Sequence, residues 1–232
     1  MATQKVVVSG SSVTAGQMKD FWRQVEDRSI NFFMFREFLE HRNPFSISFI
    51  DWLKVYEVLG MSAEYVKFAK TNEVVLAAKS GLWTGPILKG ATCNKVIAAF
   101  RKLGVDVSLY TDDLDTNVPT NDRDPNKTGS HVVSFASNEE ADENLKNLSA
   151  NKLAEQGVKG ITLLERLILE LGYFLTTGKH LDEKNVTLCS GSRSSDGHVP
   201  CVGWRVDDRE LGVGWCSPGS AGGDLRARAV VS

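Results

Sequence analysis

The chain has 232 residues, 42% of them hydrophobic and 24% charged, and a formal net charge of -2. That length is enough to bury a full core without disulfides or a structural metal, and the composition argues against a disordered or fibrous chain. Near-neutral charge gives no global attraction to nucleic acid or an anionic membrane, so any such binding has to be local. The four cysteines, Cys93, Cys189, Cys201 and Cys216, are not closely paired, and "MATQKVVVSG" does not resemble a signal peptide. The most apolar stretch, "ITLLERLILELGYFL", is interrupted by Glu165, Arg166 and Glu170 and is too short to cross a bilayer. The expectation is a cytoplasmic protein with free thiols and no membrane partner.

In chain order, "KVVVSGSSVTAGQMKDFW" has the outline of a phosphate-binding loop, but Gly10 and Gly16 are wrongly spaced and Gln17 stands where the lysine belongs. An N-terminal arm leading to a helix N-cap at Thr14 fits better. Met18, Phe21, Trp22 and Val25 then recur at helical spacing, giving a helix that ends near Ser29. "NFFMFREFLEHR", "SFIDWLKVYEVLG" and "SAEYVKFAKTNEVVLAAK" continue in the same style, the last with an N-cap at Ser62, so residues 1–84 read as a helical region with "GLWTGPILKG" as a connector.

The remainder, 85–232, reads as an α+β domain. Thr92 and Gly104 bracket an amphipathic helix, and "VDVSLYT" and "SHVVSFA" alternate as strands. Ser137 with Glu140, and Thr162 with Glu165, have the spacing of capping boxes, and Gly178 closes the second of those helices. "NVTLC", "VPCVGWRV", "ELGVGW" and "LRARAVVS" are short alternating runs with turn chemistry between them, predicting a small antiparallel C-terminal meander packed on the 162–177 helix.

Three places invite chemistry. The loop 111–130 carries Asp112, Asp113, Asp122 and Asp124 as candidate oxygen ligands, although Lys127 and Val133 break the calcium-loop pattern and a solvated hairpin loop is the expectation. Cys189, His198, Cys201 and Cys216 offer a zinc-type ligand set, set against small buried cysteines in a sheet. "SGSRSSDG" with Arg193, Asp196, Arg205, Arg226 and Arg228 offers an anion pocket, and Trp204 and Trp215 offer stacking surfaces for a base or sugar. Arg226 and Arg228 share one face of the last run, for which a solvated face is the plainer reading.

Catalytic signals are few. His41, His131, His180 and His198 lie in separate regions, G-x-S-x-G and H-E-x-x-H are missing, and the Asp182-x-Lys184 spacing of some nucleases falls in a turn. Cys189 with His198 makes a nucleophile only if the turn folds them together.

"TLLERLILELGYFLTTGKHLD", "TLCSGSRSSDGHVPCVGW" and the ending "LRARAVVS" resemble a group of uncharacterised bacterial proteins, the GSR-x-x-DG-x-V-P block being the most specific element. The resemblance implies a bacterial cytoplasmic origin and no mechanism. The resulting expectation is a non-enzymatic adaptor or regulator that binds a protein or an anionic ligand without a cofactor, nucleic acid staying open. The alternative is a small metal-dependent hydrolase or nuclease.

Overall fold

The computed structural model describes residues 14–27, 50–76 and 81–231. The chain divides into two compact units, 1–46 and 47–232. In the first, α1 (Ala15–Glu26) begins at a reciprocal capping box between Thr14 and Gln17 and ends one cap residue later at Asp27. Gly16 therefore lies in the first turn of a helix and not in a phosphate loop. Gly10 and the "NFFMFREFLEHR" segment lie outside the described residues.

The second unit starts well before the boundary expected at 84. Helix α2 (Trp52–Val58) follows an Asp51 cap, and α3 (Ser62–Thr71) and the short α4 (Glu73–Leu76) come next. Ser62 is the first helical residue, after Met61, and caps nothing with its side chain. The stretch read as a connector is a strand, β1 (Leu82–Ile87), because Trp83, Gly85 and Ile87 have a partner across the chain in β4 (His131–Ala136). The Trp52 indole is driven onto β1 where Gly85 has no side chain, and its Nε1 donates to Thr84 O at 2.8 Å. Tyr56 donates to Pro86 O at 2.6 Å, and burial of its ring pushes its hydroxyl pKa well up. Residues 50–58 are thus stitched into the α+β unit by side chains whose partners lie about thirty residues on.

Helix α5 (Cys93–Lys102) has the expected Thr92 cap and leads into β2 (Asp106–Leu109). The aspartate loop is not a bare hairpin. It folds into α6 (Leu114–Asn117), β3 (Thr120–Asn121) and α7 (Pro125–Thr128). The helix expected after Ser137 is missing, and only a 3-10 turn at Glu143–Leu145 forms there. Glu140 instead turns its carboxylate to the Lys184 N–H and to Asn185 Nδ2, at 3.2 and 2.6 Å, so its capping partner is lost to a tertiary contact.

After α8 (Ala150–Glu155), the central helix α9 (Leu163–Thr177) has the predicted capping box at Thr162 and Glu165 and the predicted left-handed Gly178 stop. Residues 163–173 of α9 are all buried, and α9 packs on α2, on α5 and on the main sheet. That sheet has the order β2-β8-β7-β5-β9, with β5 (Val186–Leu188), β7 (Val199–Arg205), β8 (Glu210–Cys216) and β9 (Leu225–Ala227). The expected meander survives only as β5-β7-β8. Both outer strands run parallel to their neighbours, β2 to β8 and β9 to β5, so the sheet is mixed. The β6 strand (Ser192–Arg193) pairs separately with β3.

The sheet has two covered faces. Val202, Leu211, Val213 and Cys189 join the large core under α9 and α5, while Leu188, Val199, Leu225 and Ala227 join a smaller core with Leu145, Ala150 and Leu153. The glycine at 85 fixes how α2 docks on this unit, since a Cβ there would sit 2.1 Å from the Trp52 ring. Gly85→Ala is expected to lower stability by about 1–3 kcal/mol. In a Trp52→Leu background, where the ring is gone, urea titration should find most of that added cost removed.

Candidate functional site

The charges that interrupt the apolar α9 helix are the first feature to explain. Glu165, Arg166 and Glu170 are all fully buried. A charge withdrawn from water has to be paired and hydrogen-bonded. Arg166 lies 2.7 Å from Glu170 Oε2, one turn on, and donates Nε and a second nitrogen to Asp182 Oδ2 at 3.0 and 2.7 Å. Arg228 reaches the other oxygen, Asp182 Oδ1, at 2.8 Å, and also donates to the carbonyls of Asn138 and Glu139. Thr187 donates to Asp182 as well. Two guanidinium and two carboxylate groups with no solvent exposure make a neutral cluster linking α9, the turn before β5 and the C-terminal tail.

Burial alone would raise the Asp182 carboxyl, but Arg166 and Arg228 outweigh it and hold its pKa below the ordinary value. The same balance holds at Glu165, where burial is overcome by Arg123 at 2.7 Å and by His131, with Nε2 3.5 Å away. His180 extends the cluster, with Nδ1 2.8 Å from Glu170 Oε1 and its ring stacked on Trp204 at 3.5 Å and 2°. The Asp182 and Lys184 pair is therefore no nuclease motif, because Asp182 is consumed by two arginines inside the core.

The predicted anion pocket does not assemble. Arg228 is fully buried in the cluster just described, and Arg226 is 12% exposed and paired with Glu143, so the solvated strand face expected for both is corrected. Arg205 is paired with Glu210 at 2.7 Å and lies over Gly212. Trp204 belongs to the Phe174–His180–Trp204 stack at the edge of the large core. Arg193 is held by the carbonyls of Ser190 and Ser192 at 2.8 and 2.7 Å. Arginines were legible as charges in the sequence, but their partners come from segments up to ninety residues distant.

The oxygen-ligand loop is also otherwise employed. Asp113 accepts from the Thr116 N–H and hydroxyl and from Asn94, which takes its carboxyl down to about 2. Asp124 caps α7 just before Pro125, and Asp115 accepts the N–H groups of Cys93 and Asn94 at the start of α5. Asp112 and Asp122 are both exposed. An aspartate immediately before proline was the readable sign of a cap. Among the described residues, no group of three or more His, Cys, Asp or Glu side chains comes together to hold a metal ion.

The three cysteines among the zinc-type candidates separate by sheet face. Cys189 follows β5 on the α9 side and is fully buried in the large core, and burial pushes its thiol pKa up. His198, its expected partner as a nucleophile, is paired instead with Asp196 at 2.9 Å. Cys201 and Cys216 lie on the opposite face with their sulfurs 3.5 Å apart.

What the structure does gather is one end of the sheet. In the turn between β6 and β7, Ser194 donates to Asp196 Oδ1, and His198 Nδ1 lies 2.9 Å from Asp196 Oδ2. The Ser194 and His198 interactions bring the exposed Asp196 carboxyl to about 2. The His198 ring meets Trp215 edge to face, with centroids 4.3 Å apart at 63°. Trp215 is 52% exposed at the end of β8, an uncommon state for that side chain. The half-buried Tyr110 follows β2 beside the same end, where its N–H donates to Val213 O. Tyr110 is raised to about 12 by burial, with Asp196 adding to the effect.

The chain matches no family model, no curated protein and no solved structure.

Because Asp182 and Glu165 sit below their ordinary values of 3.8 and 4.5, their contribution is fully present above those values and is lost as pH falls through the native pKa values. Acid unfolding is therefore expected below about pH 4. Asp182→Asn, which strands two arginines in the core, should cost about 3–5 kcal/mol at neutral pH and make the acid limb shallower, as measured by denaturant titration across pH.

Proposed function

We propose that this chain is a non-catalytic binding protein, an adaptor or regulator, and that it meets a protein partner at the end of the sheet built by Trp215, His198 and the 194–198 turn. The observation that carries the reading is a tryptophan more than half exposed on a regular strand and braced by an imidazole beneath it. A large, rigid, amphipathic ring loses little entropy on binding, and such rings supply much of the energy at protein interfaces. The surrounding charge is acidic, with Asp196 67% exposed and Asp112 and Asp113 exposed nearby in sequence to Tyr110, which favours a protein surface with basic groups over an anionic ligand. The bacterial cytoplasmic setting implied by the resemblance of the tail belongs to this proposal. Of the four aspartates that the hydrolase reading needed, Asp113 and Asp124 act as helix caps, and no cluster of ligands forms around them among the described residues.

Trp215→Ala removes an exposed ring and should leave stability within about 0.5 kcal/mol of the parent. Partner capture from the source cell, quantified for wild type, for Trp215→Ala and for Val206→Ala at the far end of the same hairpin, should show proteins lost only with Trp215→Ala. Equal capture by all three would overturn the assignment of this surface.

A further inference from the structure

The mutual position of Cys201 and Cys216 has no part in the binding surface, which lies on the other side of β8. In a strand successive side chains alternate, so Trp215 and Cys216 face opposite sides of the sheet. Cys201 pairs in register with Gly214, and Cys216 with Val199, which places the two cysteines diagonally across neighbouring strands. The residue directly opposite Cys201 has no side chain, and a Cβ there would already be in contact with Cys201 Sγ at 3.4 Å. The bare position lets the Cys201 sulfur lean along the diagonal until the two sulfurs are 3.5 Å apart. Both residues are half-buried, Cys216 being the last residue of its strand, between exposed Trp215 and exposed Ser217.

We propose that Cys201 and Cys216 are a redox-active dithiol that reacts with a disulfide substrate and closes to an intramolecular disulfide. The attacking sulfur is Cys216. It is the last residue of β8, between exposed Trp215 and exposed Ser217, and its sulfur lies 3.5 Å from that of Cys201; this contact lowers the Cys216 thiol to about 7 and raises Cys201, with His198 also favouring the Cys216 thiolate and burial and Asp224 opposing it. The thiolate attacks one sulfur of R–S–S–R, forming a mixed disulfide on Cys216 and releasing RS⁻, which is protonated. Cys201 then gives up its proton and attacks the Cys216 sulfur, expelling the second RS⁻. The sum is two protein thiols plus R–S–S–R giving one protein disulfide plus two R–SH, so the protein loses two electrons and two protons and the substrate gains them. Closing requires the sulfurs to approach from 3.5 Å to about 2 Å, a movement that the chain end of β8 can absorb. Cys93 and Cys189 take no part, since both are buried and burial pushes both thiols well up.

The test uses the full chain, reduced, desalted and exposed to oxidised glutathione over a range of ratios to reduced glutathione. Intact mass followed by peptide mapping should find the wild-type chain with two hydrogens fewer and a single bridge between Cys201 and Cys216. Cys201→Ser should stop at the first step and accumulate one glutathione on Cys216. Cys216→Ser should react about tenfold more slowly at pH 7, as an ordinary thiol does. A wild-type chain that stays fully reduced in excess oxidised glutathione, a bridge to Cys93 or Cys189, or a Cys201→Ser chain that takes up no glutathione would each overturn the proposal. The wild-type mapping decides it even if a variant fails to fold, and none of these readouts depends on whether Trp215 binds a partner.

Discussion

The interaction on which the rest of the second unit depends is the pairing of Asp182 with Arg166 and Arg228. Each oxygen of one carboxylate is taken by a different guanidinium, and no atom of the three side chains touches water. Such a cluster gives little net stability compared with apolar packing, but it is unforgiving, because removing any member leaves a bare charge in the core. Its members come from near the start of α9, from the turn before β5 and from the end of the chain. The tail is thereby locked against the 138–142 segment and the start of α9, through Arg228 side-chain bonds to the carbonyls of Asn138 and Glu139 and the Ile161 N–H to Arg228 O. Asp182 has a positive φ of 57°, a conformation that aspartate tolerates better than most residues and that points its carboxylate inward here.

The same economy runs through the polar loop 111–130. Three of its five aspartates do what free helix ends demand: Asp113 and Asp124 cap their own short helices, and Asp115 serves α5 from a distance. Arg123 leaves the loop to bind Glu165, which is already half of the α9 capping box. A loop rich in carboxylates thus becomes an ordered connection between α5, α9 and the β3-β6 pair, and its acidity is largely spent on backbone N–H groups. What β8 leaves outside these networks is the exposed Trp215 on one side and the half-buried sulfur pair on the other.

Local signals transferred well where both partners are close in sequence. The Thr162–Glu165 capping box, the Thr92 cap, the Gly178 stop and the β2 and β4 strands are all present, because each is decided within one turn or one pleat. The box at Ser137 and Glu140 has the same spacing and fails, since Glu140 finds the Lys184 N–H and Asn185 more than forty residues away. Strand β1 was hidden for the converse reason. "LWTGPI" contains a glycine and a proline that read as a break, and only the β4 partner and the Trp52 ring resting on Gly85 make it a strand.

From the order of its residues alone, the chain determined an α+β fold, an apolar central helix with known ends and a run of short strands after Val186. It also displayed three charges in that helix and four cysteines in no close pairs. Tertiary structure decided the rest: that β2 and β9 join the sheet in parallel, that Arg226 and Arg228 are internal, and that Cys201 meets Cys216 while Cys189 lies on the other face. The physical reason is that a strand's register and a charge's partner are set by segments far apart along the chain, whose meeting no local pattern encodes, whereas caps, turns and helical faces are settled by neighbours within reach of a single side chain.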